Sequence, residues 1–373
     1  MQDKKEFAGK EDAKRKLQVL GDGSTTSGAR TADALERAVA QDRTDLVALL
    51  RLAALYERTG LASKARETAE AALKVNPKAA RALLVLALVY AAQPGETQRA
   101  VDYAKNARAL APDDPEIAHE AGRLAFQSGQ YEWAYSILQD SHRKLTGNPD
   151  ALFDYAWSAY SVGRVADAEA AMQTALSAGT NFARASEARR FTEIVGLVEI
   201  PDRIAAASPT IEATLKAEPG YVPALFVAGL AWERRGDYTQ AQRLFEQVLA
   251  RYPQFTPAAR QLALIYSDHV DNVQKGYELA VKARQASPED LELLKALAKL
   301  SYRRGDHQYA SQLLKDYIQK KAGEAEAYYY LGLCQHQLKQ TEAATSSLQQ
   351  ALTLKLNPKL AEEANRVLAS MKQ

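Results

Sequence analysis

The sequence is poor in cysteine and histidine and carries almost no net charge. Its 373 residues include one cysteine and five histidines, and 48 basic against 46 acidic side chains leave a formal charge of +2. One cysteine excludes an intrachain disulfide framework and a cysteine-based zinc site. The balanced charge argues against the broad basic surface of a nucleic-acid-binding protein. We therefore expect no metal, no cofactor and no nucleic-acid partner.

Long apolar runs are also absent. No run of 18 or more apolar residues occurs, so we expect no direct insertion into a membrane. The polar N-terminus has no apolar signal core. A soluble cytoplasmic protein fits these features, and so does a periplasmic protein from which a signal peptide has been removed.

The common catalytic motifs are missing as well. The sequence contains no P-loop, no dinucleotide-binding motif, no HExxH and no GxSxG. The paired acids Asp113 and Asp114 fit a solvated turn better than acid–base catalysis, and Cys334 fits a buried structural thiol. We therefore expect that the chain is not an enzyme.

What the sequence has in excess is alanine, in a repeating pattern. The chain holds 70 alanines, and alanine is the best helix former. Pro77 and Pro112 lie 35 residues apart, while Pro219, Pro253 and Pro288 are spaced by 34 and 35. Such a period indicates a repeat architecture. Each unit has the pattern of two helices joined by a turn, and eight units follow one another: 46–79, 80–114, 115–148, 149–182, 222–255, 256–290, 291–324 and 325–358.

Unit 222–255 illustrates how small and large residues alternate. Its small residues, which let the two helices of a pair approach closely, are Ala228, Gly229 and Ala241. Its large residues, which we expect to fill the space up to the next pair, are Leu225, Trp232, Phe245 and Val248.

This pattern resembles the tetratricopeptide repeat family. Unit 46–79 carries the family's residues at Leu49, Leu52, Ala53, Tyr56, Ala65, Ala72 and Pro77. The resemblance extends over about 46–358. It implies an all-α fold, a right-handed superhelical solenoid of helix-turn-helix pairs in which the first helices line the concave face. It also implies a non-enzymatic protein that binds a protein or peptide partner there.

The repeats divide the chain into five segments. We expect a flexible N-terminal segment (1–30), an N-terminal block with a half repeat and about four repeats (31–182), an irregular helix pair (183–221), a C-terminal block of about four repeats (222–358) and a capping helix (359–373). Pro201 should end the first helix of the irregular pair. A hinge is one interpretation of that pair.

In the family, positions 2, 5, 9, 12 and 13 of the first helices line the groove. The resemblance therefore implies an aromatic groove with arginine, made of His119, Arg123, Phe126, Phe153, Trp157, Tyr160 and Phe226. The alternative for Phe153 and Trp157 is core packing. A more basic set follows: Arg260, Lys295, Lys299, Tyr302 and Arg303. This second set either attracts an acidic segment of a partner or is a solvated helix face.

Two functions remain open from the sequence. The first is a scaffold or adaptor that binds a partner in the concave groove and supports assembly of a bacterial multiprotein complex, of the secretion, envelope polysaccharide or pilus type. The alternative is a repeat-containing fragment of a larger protein whose effector domain lies outside this chain. The oligomeric state is open in both.

Overall fold

The structure is a computed structural model that describes residues 28–178, 182–198 and 201–371. Within those residues the chain forms 21 helices and no strand, which confirms the all-α class. The predicted flexible segment, 1–30, lies outside the described residues except for its last three, which begin the first helix.

The chain folds into two compact units. The N-terminal unit comprises the residues up to Ser158 with Ser177–Phe182, and the C-terminal unit comprises Ala159–Leu176 with Ala183–Gln373. The first eight helices are α1 (Gly28–Gln41), α2 (Leu46–Arg58), α3 (Ala62–Val75), α4 (Ala80–Ala91), α5 (Thr97–Leu110), α6 (Pro115–Gln127), α7 (Tyr131–Lys144) and α8 (Pro149–Ser161).

The remaining helices lie mainly in the C-terminal unit. They are α9 (Val165–Ala178), α10 (Ala185–Val195), α11 (Pro201–Ala206), α12 (Ser208–Ala217), α13 (Val222–Arg234), α14 (Tyr238–Arg251), α15 (Thr256–Asp268), α16 (Val273–Ala286), α17 (Leu291–Arg303), α18 (His307–Lys320), α19 (Ala325–Gln337), α20 (Thr341–Thr353) and α21 (Pro358–Ser370).

The first helices of the eight repeats are α2, α4, α6, α8, α13, α15, α17 and α19. Each begins at the residue where a unit of the sequence pattern begins. Local chemistry fixes several of these starts. Asp45 accepts hydrogen bonds from the N–H groups of Val47 and Ala48, and Asp290 accepts one from Leu293. These acceptors satisfy amides that have no partner inside the helix.

A left-handed residue closes the turn between the two helices of most repeats. Gly60, Gly129 and Gly305 have φ angles of 75°, 79° and 84° at this place. In the last repeat the equivalent residue is Lys339, with a φ of 58°. Only glycine takes this conformation without steric cost, so the last repeat carries strain that the others avoid.

Within a repeat, the eighth residue of the first helix complements a residue of the second helix. A Cβ added to Gly229 would lie 2.5 Å from the Phe245 ring, and one added to Gly122 would lie 2.4 Å from Leu138. Where the eighth residue is alanine, as at Ala53, the facing residue can be small. The tight packing of these pairs explains why the repeats tolerate only glycine or alanine there.

First helices form the inner layer of each unit. Helix α4 contacts both α2 and α6, and α17 contacts both α15 and α19. Successive second helices of the described residues have sparser contacts with one another. The side chains that first helices turn away from their second helices therefore share one surface, which we call the inner face.

The irregular segment holds three helices where the sequence pattern predicts a pair. Helix α10 ends at Val195, and Pro201 begins α11 rather than ending a helix. Proline is accepted in a first helical turn because that turn needs no N–H donor. The short helices α11 and α12 then pack against α13.

Candidate functional site

The inner face of the C-terminal unit is a ladder of ion pairs. Arg260 of α15 donates through Nε to Asp290, 2.5 Å away, at the start of α17. Lys295 of α17 occupies the same repeat position and donates to Glu324, 2.5 Å away, at the start of α19. Each cation therefore bonds to the carboxylate that precedes the next first helix. This arrangement joins neighbouring repeats in a defined register.

Lys299 is the most enclosed cation of this ladder. Its side chain is 6% exposed and contacts Asp268 of α15 and Glu326 of α19, with 2.6 Å between Nζ and Oε1 of Glu326. Burial alone lowers the pKa of Lys299, but the two carboxylates outweigh burial and raise it above its ordinary value. Lys299 is therefore a charged link between three successive first helices.

Arg303 and Tyr302 complete this surface. Arg303 donates to the carbonyl oxygens of Tyr266 and Ser267, at 3.0 and 3.3 Å, and to Asp271 at 2.7 Å. Tyr302 is half-buried against the ring of Tyr330. The predicted basic set is thus neither a free basic patch nor a solvated face. Its charges are paired within the unit, because acids lie about one repeat before or after each cation along the chain.

Three residues of the predicted aromatic groove lie in the core. Phe153 is 3% exposed, Tyr160 1% and Phe226 5%. Tyr160 packs edge-on against Phe191, and Phe226 packs against Phe255. For these three the expectation of an open aromatic surface is wrong, and for Phe153 the alternative of core packing is the correct one.

The other four predicted residues lie at the surface of the N-terminal unit. His119 bonds to Asp154 through Nε2, at 2.8 Å, and Arg123 bonds to Glu120 at 2.9 Å. Phe126 and Trp157 are partly buried, and their rings pack edge-on against Tyr131 and Phe153, respectively. The structure thus brings His119 and Arg123 together around Asp154, since the Arg123 guanidinium lies 3.7 Å from that carboxylate.

The groove residues predicted from the sequence did not include any from α2 and α4, the first helices of the first two repeats. Positions 5 and 9 of α2 and α4 hold partly exposed aliphatic residues, namely Leu50, Ala54, Leu84 and Leu88. Val47, at position 2 of α2, is 37% exposed. The signal was present in the sequence, because these residues occupy the positions that the family resemblance assigns to the groove.

Glu57, at position 12 of α2, adds a carboxylate to this aliphatic surface. Burial raises its pKa, and the charge of Glu120 two repeats later raises it further, against the opposing effect of Arg58 and Arg123. In the part of the chain that the structure describes, Glu57 forms no ion pair. A half-buried carboxylate beside a like charge favours an incoming cation.

Among the described residues, no group of three or more histidine, cysteine or acidic side chains is placed to hold a metal ion. None of the described helices combines the length and the apolar character needed to cross a bilayer.

Comparison with known families identifies the repeats. Models described as tetratricopeptide repeat match residues 50–115, 125–190, 223–254 and 325–358. Together the matched residues make up more than half of the chain, and they include repeats of both units.

One curated relative shares part of the sequence. It is the "TPR repeat-containing protein PA4667" of Pseudomonas aeruginosa PAO1, which is 26% identical over 119 residues. The match covers 32% of this chain and 20% of that protein. The chain therefore spans about a fifth of the relative's length.

Several solved structures are similar at low identity. The "APC/C hetero-tetramer Cut9-Hcn1" aligns with a TM-score of 0.47 and 14% identity over 97% of this chain and 89% of that chain. TTC0263 of Thermus thermophilus, described as a thermophilic TPR protein, has a TM-score of 0.40 and 19% identity over 50% of this chain and 99% of its own. PilW, described as a widely conserved type IV pilus biogenesis factor, has a TM-score of 0.40 and 15% identity over 67% of this chain and 99% of its own.

Proposed function

Because the chain belongs to the tetratricopeptide repeat family, we propose that it is a non-enzymatic scaffold that binds a segment of a partner protein on the inner face of its N-terminal unit. The observation that carries this proposal is Glu57, a half-buried carboxylate without an ion pair in the described residues, beside a partly exposed aliphatic surface. The inner-face cations of the C-terminal unit already have internal carboxylate partners, which favours the N-terminal unit as the one that binds a partner.

The aliphatic surface supports recognition of an extended segment. Leu50 lies on α2, and Leu84 and Leu88 lie on the next first helix, α4. Packed helix axes are about 8–10 Å apart. An extended chain advances about 3.3 Å per residue, so apolar residues about three positions apart in the partner reach successive helices.

Glu57 sets the charge that this segment should carry. A lysine or arginine of the partner would pair with Glu57 and relieve its repulsion with Glu120. Charge-assisted hydrogen bonds in a partly desolvated site are stronger than neutral ones. The segment proposed here is therefore apolar with one basic residue. Its proposed task is assembly of a bacterial multiprotein complex of the secretion, envelope polysaccharide or pilus type.

Panning a random peptide library against the full chain tests this proposal. We expect peptides with apolar residues next to a lysine or arginine, and Glu57→Gln should weaken their binding about tenfold. The matched control is Glu70→Gln, because Glu70 is an exposed glutamate on second helix α3. Equal affinity for wild type and Glu57→Gln would overturn the proposal.

The Glu57→Gln variant should weaken peptide binding without lowering the stability of the fold. The pKa of Glu57 is raised in the folded chain, so its charged form opposes folding above the folded pKa. Glu57→Gln should therefore be at least as stable as wild type at pH 7, and this advantage should vanish below pH ~4. Thermal unfolding at both pH values distinguishes lost recognition from lost folding.

A further inference from the structure

Trp232 breaks a regularity of the repeats. The eleventh residue of the first helix is aromatic in four repeats. It is 6% exposed at Tyr56, 4% at Tyr90 and 0% at Tyr266, but 36% exposed at Trp232. The sequence pattern predicts a core role for Trp232, and its exposure corrects that expectation. An exposed tryptophan at a normally buried position needs a structural cause.

The cause is the short helix α12. It packs against α13 at the place where, in other repeats, the second helix of the preceding repeat packs against the first helix. Helix α12 has 10 residues, whereas α14, which precedes α15, has 14. A cleft of about 160 Å³ is left open between α12 and α13. Its walls are mainly apolar and include Ile211, Leu215, Ala228, Leu244 and Trp232. The small side chains of Ala228 and Ala231 leave this space unfilled, and the Trp232 ring forms one wall of the cleft.

A glutamate stands 20 residues before each of the four aromatic residues. Tyr266 donates its hydroxyl to Glu246 at 2.7 Å, and Tyr56 donates to Glu36. The equivalent of these acceptors for Trp232 is Glu212, which lines the cleft. Tryptophan has no hydroxyl, and Glu212 forms no hydrogen bond or ion pair within the described residues. The cleft therefore contains a carboxylate at the place where two other repeats bond one to a tyrosine hydroxyl.

Arg235 places an exposed cation at the same cleft. Its guanidinium lies 5.1 Å from the centre of the Trp232 ring and 3.4 Å from Oγ of Ser208. In the described part of the chain it pairs with no carboxylate, unlike Arg260 and Arg303. Tryptophan and arginine around an apolar pocket are the residues that dominate binding energy at protein interfaces.

We propose that this cleft is a docking site for a partner segment that inserts one tyrosine and carries an acidic residue next to it. The tyrosine ring fills the apolar cleft beside Trp232, and its hydroxyl donates to Glu212 as Tyr266 does to Glu246. The neighbouring carboxylate pairs with Arg235. The site lies within the C-terminal unit and does not depend on Glu57.

The test is to pan a random peptide library against the full chain, with counter-selection on Trp232→Ala. Recovered peptides should contain tyrosine next to aspartate or glutamate, and Trp232→Ala should weaken their binding about tenfold or more. Trp232→Tyr should weaken it as well, because an internal tyrosine would donate to Glu212 itself. That variant keeps an aromatic ring, so it tests binding without a cavity in the fold. Trp133→Tyr is the matched control, since Trp133 also lies under a cation, Lys105.

A double-mutant cycle tests the hydroxyl contact. Tyrosine→phenylalanine in the peptide and Glu212→Ala in the chain should each weaken binding several-fold, and the two together should cost little more than either alone. Peptides that bind Trp232→Ala as well as wild type would overturn the site, and a cost-free change to phenylalanine would overturn the tyrosine.

Two other results would also overturn the proposal, because each would assign the cleft to a different occupant. Sedimentation that shows a wild-type dimer and a monomeric Trp232→Ala chain would assign the cleft to a second copy. Stronger peptide binding after removal of residues 1–27 would assign it to this chain's own N-terminal segment.

Discussion

Removing the Lys299 charge should destabilise the C-terminal unit far more than removing an exposed lysine. Lys299→Met keeps the aliphatic stem but removes the cation that Asp268 and Glu326 share, and leaves Glu326 only the longer contact to Lys295 at 3.8 Å. Breaking a buried ion pair from one side costs about 3–5 kcal/mol. The two carboxylates keep 35% and 29% of their side chains exposed and can regain some water. We therefore expect a loss of about 2–3 kcal/mol.

The assay is urea unfolding at pH 7, combined with hydrogen exchange of the amides in α17. The pKa of Lys299 is raised above its ordinary value of 10.5, so its contribution is complete at pH 7 and is lost as the pH rises from that ordinary value through the raised one. Hydrogen exchange is needed because repeat arrays can open locally. The control is Lys64→Met. Lys64 is 59% exposed and lies 3.7 Å from Glu36, so its loss should change stability by less than about 0.5 kcal/mol.

A second variant separates the charge from the packing. Lys299→Met combined with Glu326→Gln should be less destabilised than Lys299→Met alone, because one of the two facing charges is gone. If Lys299→Met costs no more stability than Lys64→Met, the ion pairs of the inner face do not hold neighbouring repeats together.

Three further predictions concern single positions. Lys339→Gly should stabilise the chain by about 1 kcal/mol in thermal unfolding, because a left-handed lysine is strained where Gly60 is not; an unchanged midpoint would contradict this. Gly229→Ala should cost about 1–3 kcal/mol in urea unfolding, since its Cβ meets the ring of Phe245, and restored stability on trimming Phe245 to leucine would identify the clash as the cause. Burial raises the pKa of the Cys334 thiol to about 12, so a thiol reagent at pH 8 should label it only after unfolding; rapid labelling of the native chain would refute that burial.

Much of the helical framework follows from local sequence. Each first helix begins where a repeat unit begins in the sequence, because Asp45, Asp290 and similar caps and the turn glycines act within a few residues. The irregular segment was located by the loss of the pattern but not resolved into three helices. Pro201 is compatible both with the end of one helix and with the first turn of the next.

The candidate site was predicted less well, for a reason visible in two residues. Lys299 and Phe226 occupy groove positions of the pattern, yet one is paired between repeats and the other is core. Whether such a side chain is exposed and unpaired depends on the neighbouring repeats, about 30 residues away along the chain. Glu57 and Trp232 were overlooked for the same reason, because only their surroundings make them unusual.

The sequence by itself determined the class, the period and the helix starts, since each depends on residues that are close along the chain. The tertiary structure decided which charges remain unpaired and which aromatic residues remain open. Those properties depend on side chains that meet only when repeats stack. Glu57 became a candidate binding feature because stacking leaves it half-buried without an ion pair in the described residues, and the Trp232 cleft became one because Glu212 lacks the tyrosine donor that Glu246 has.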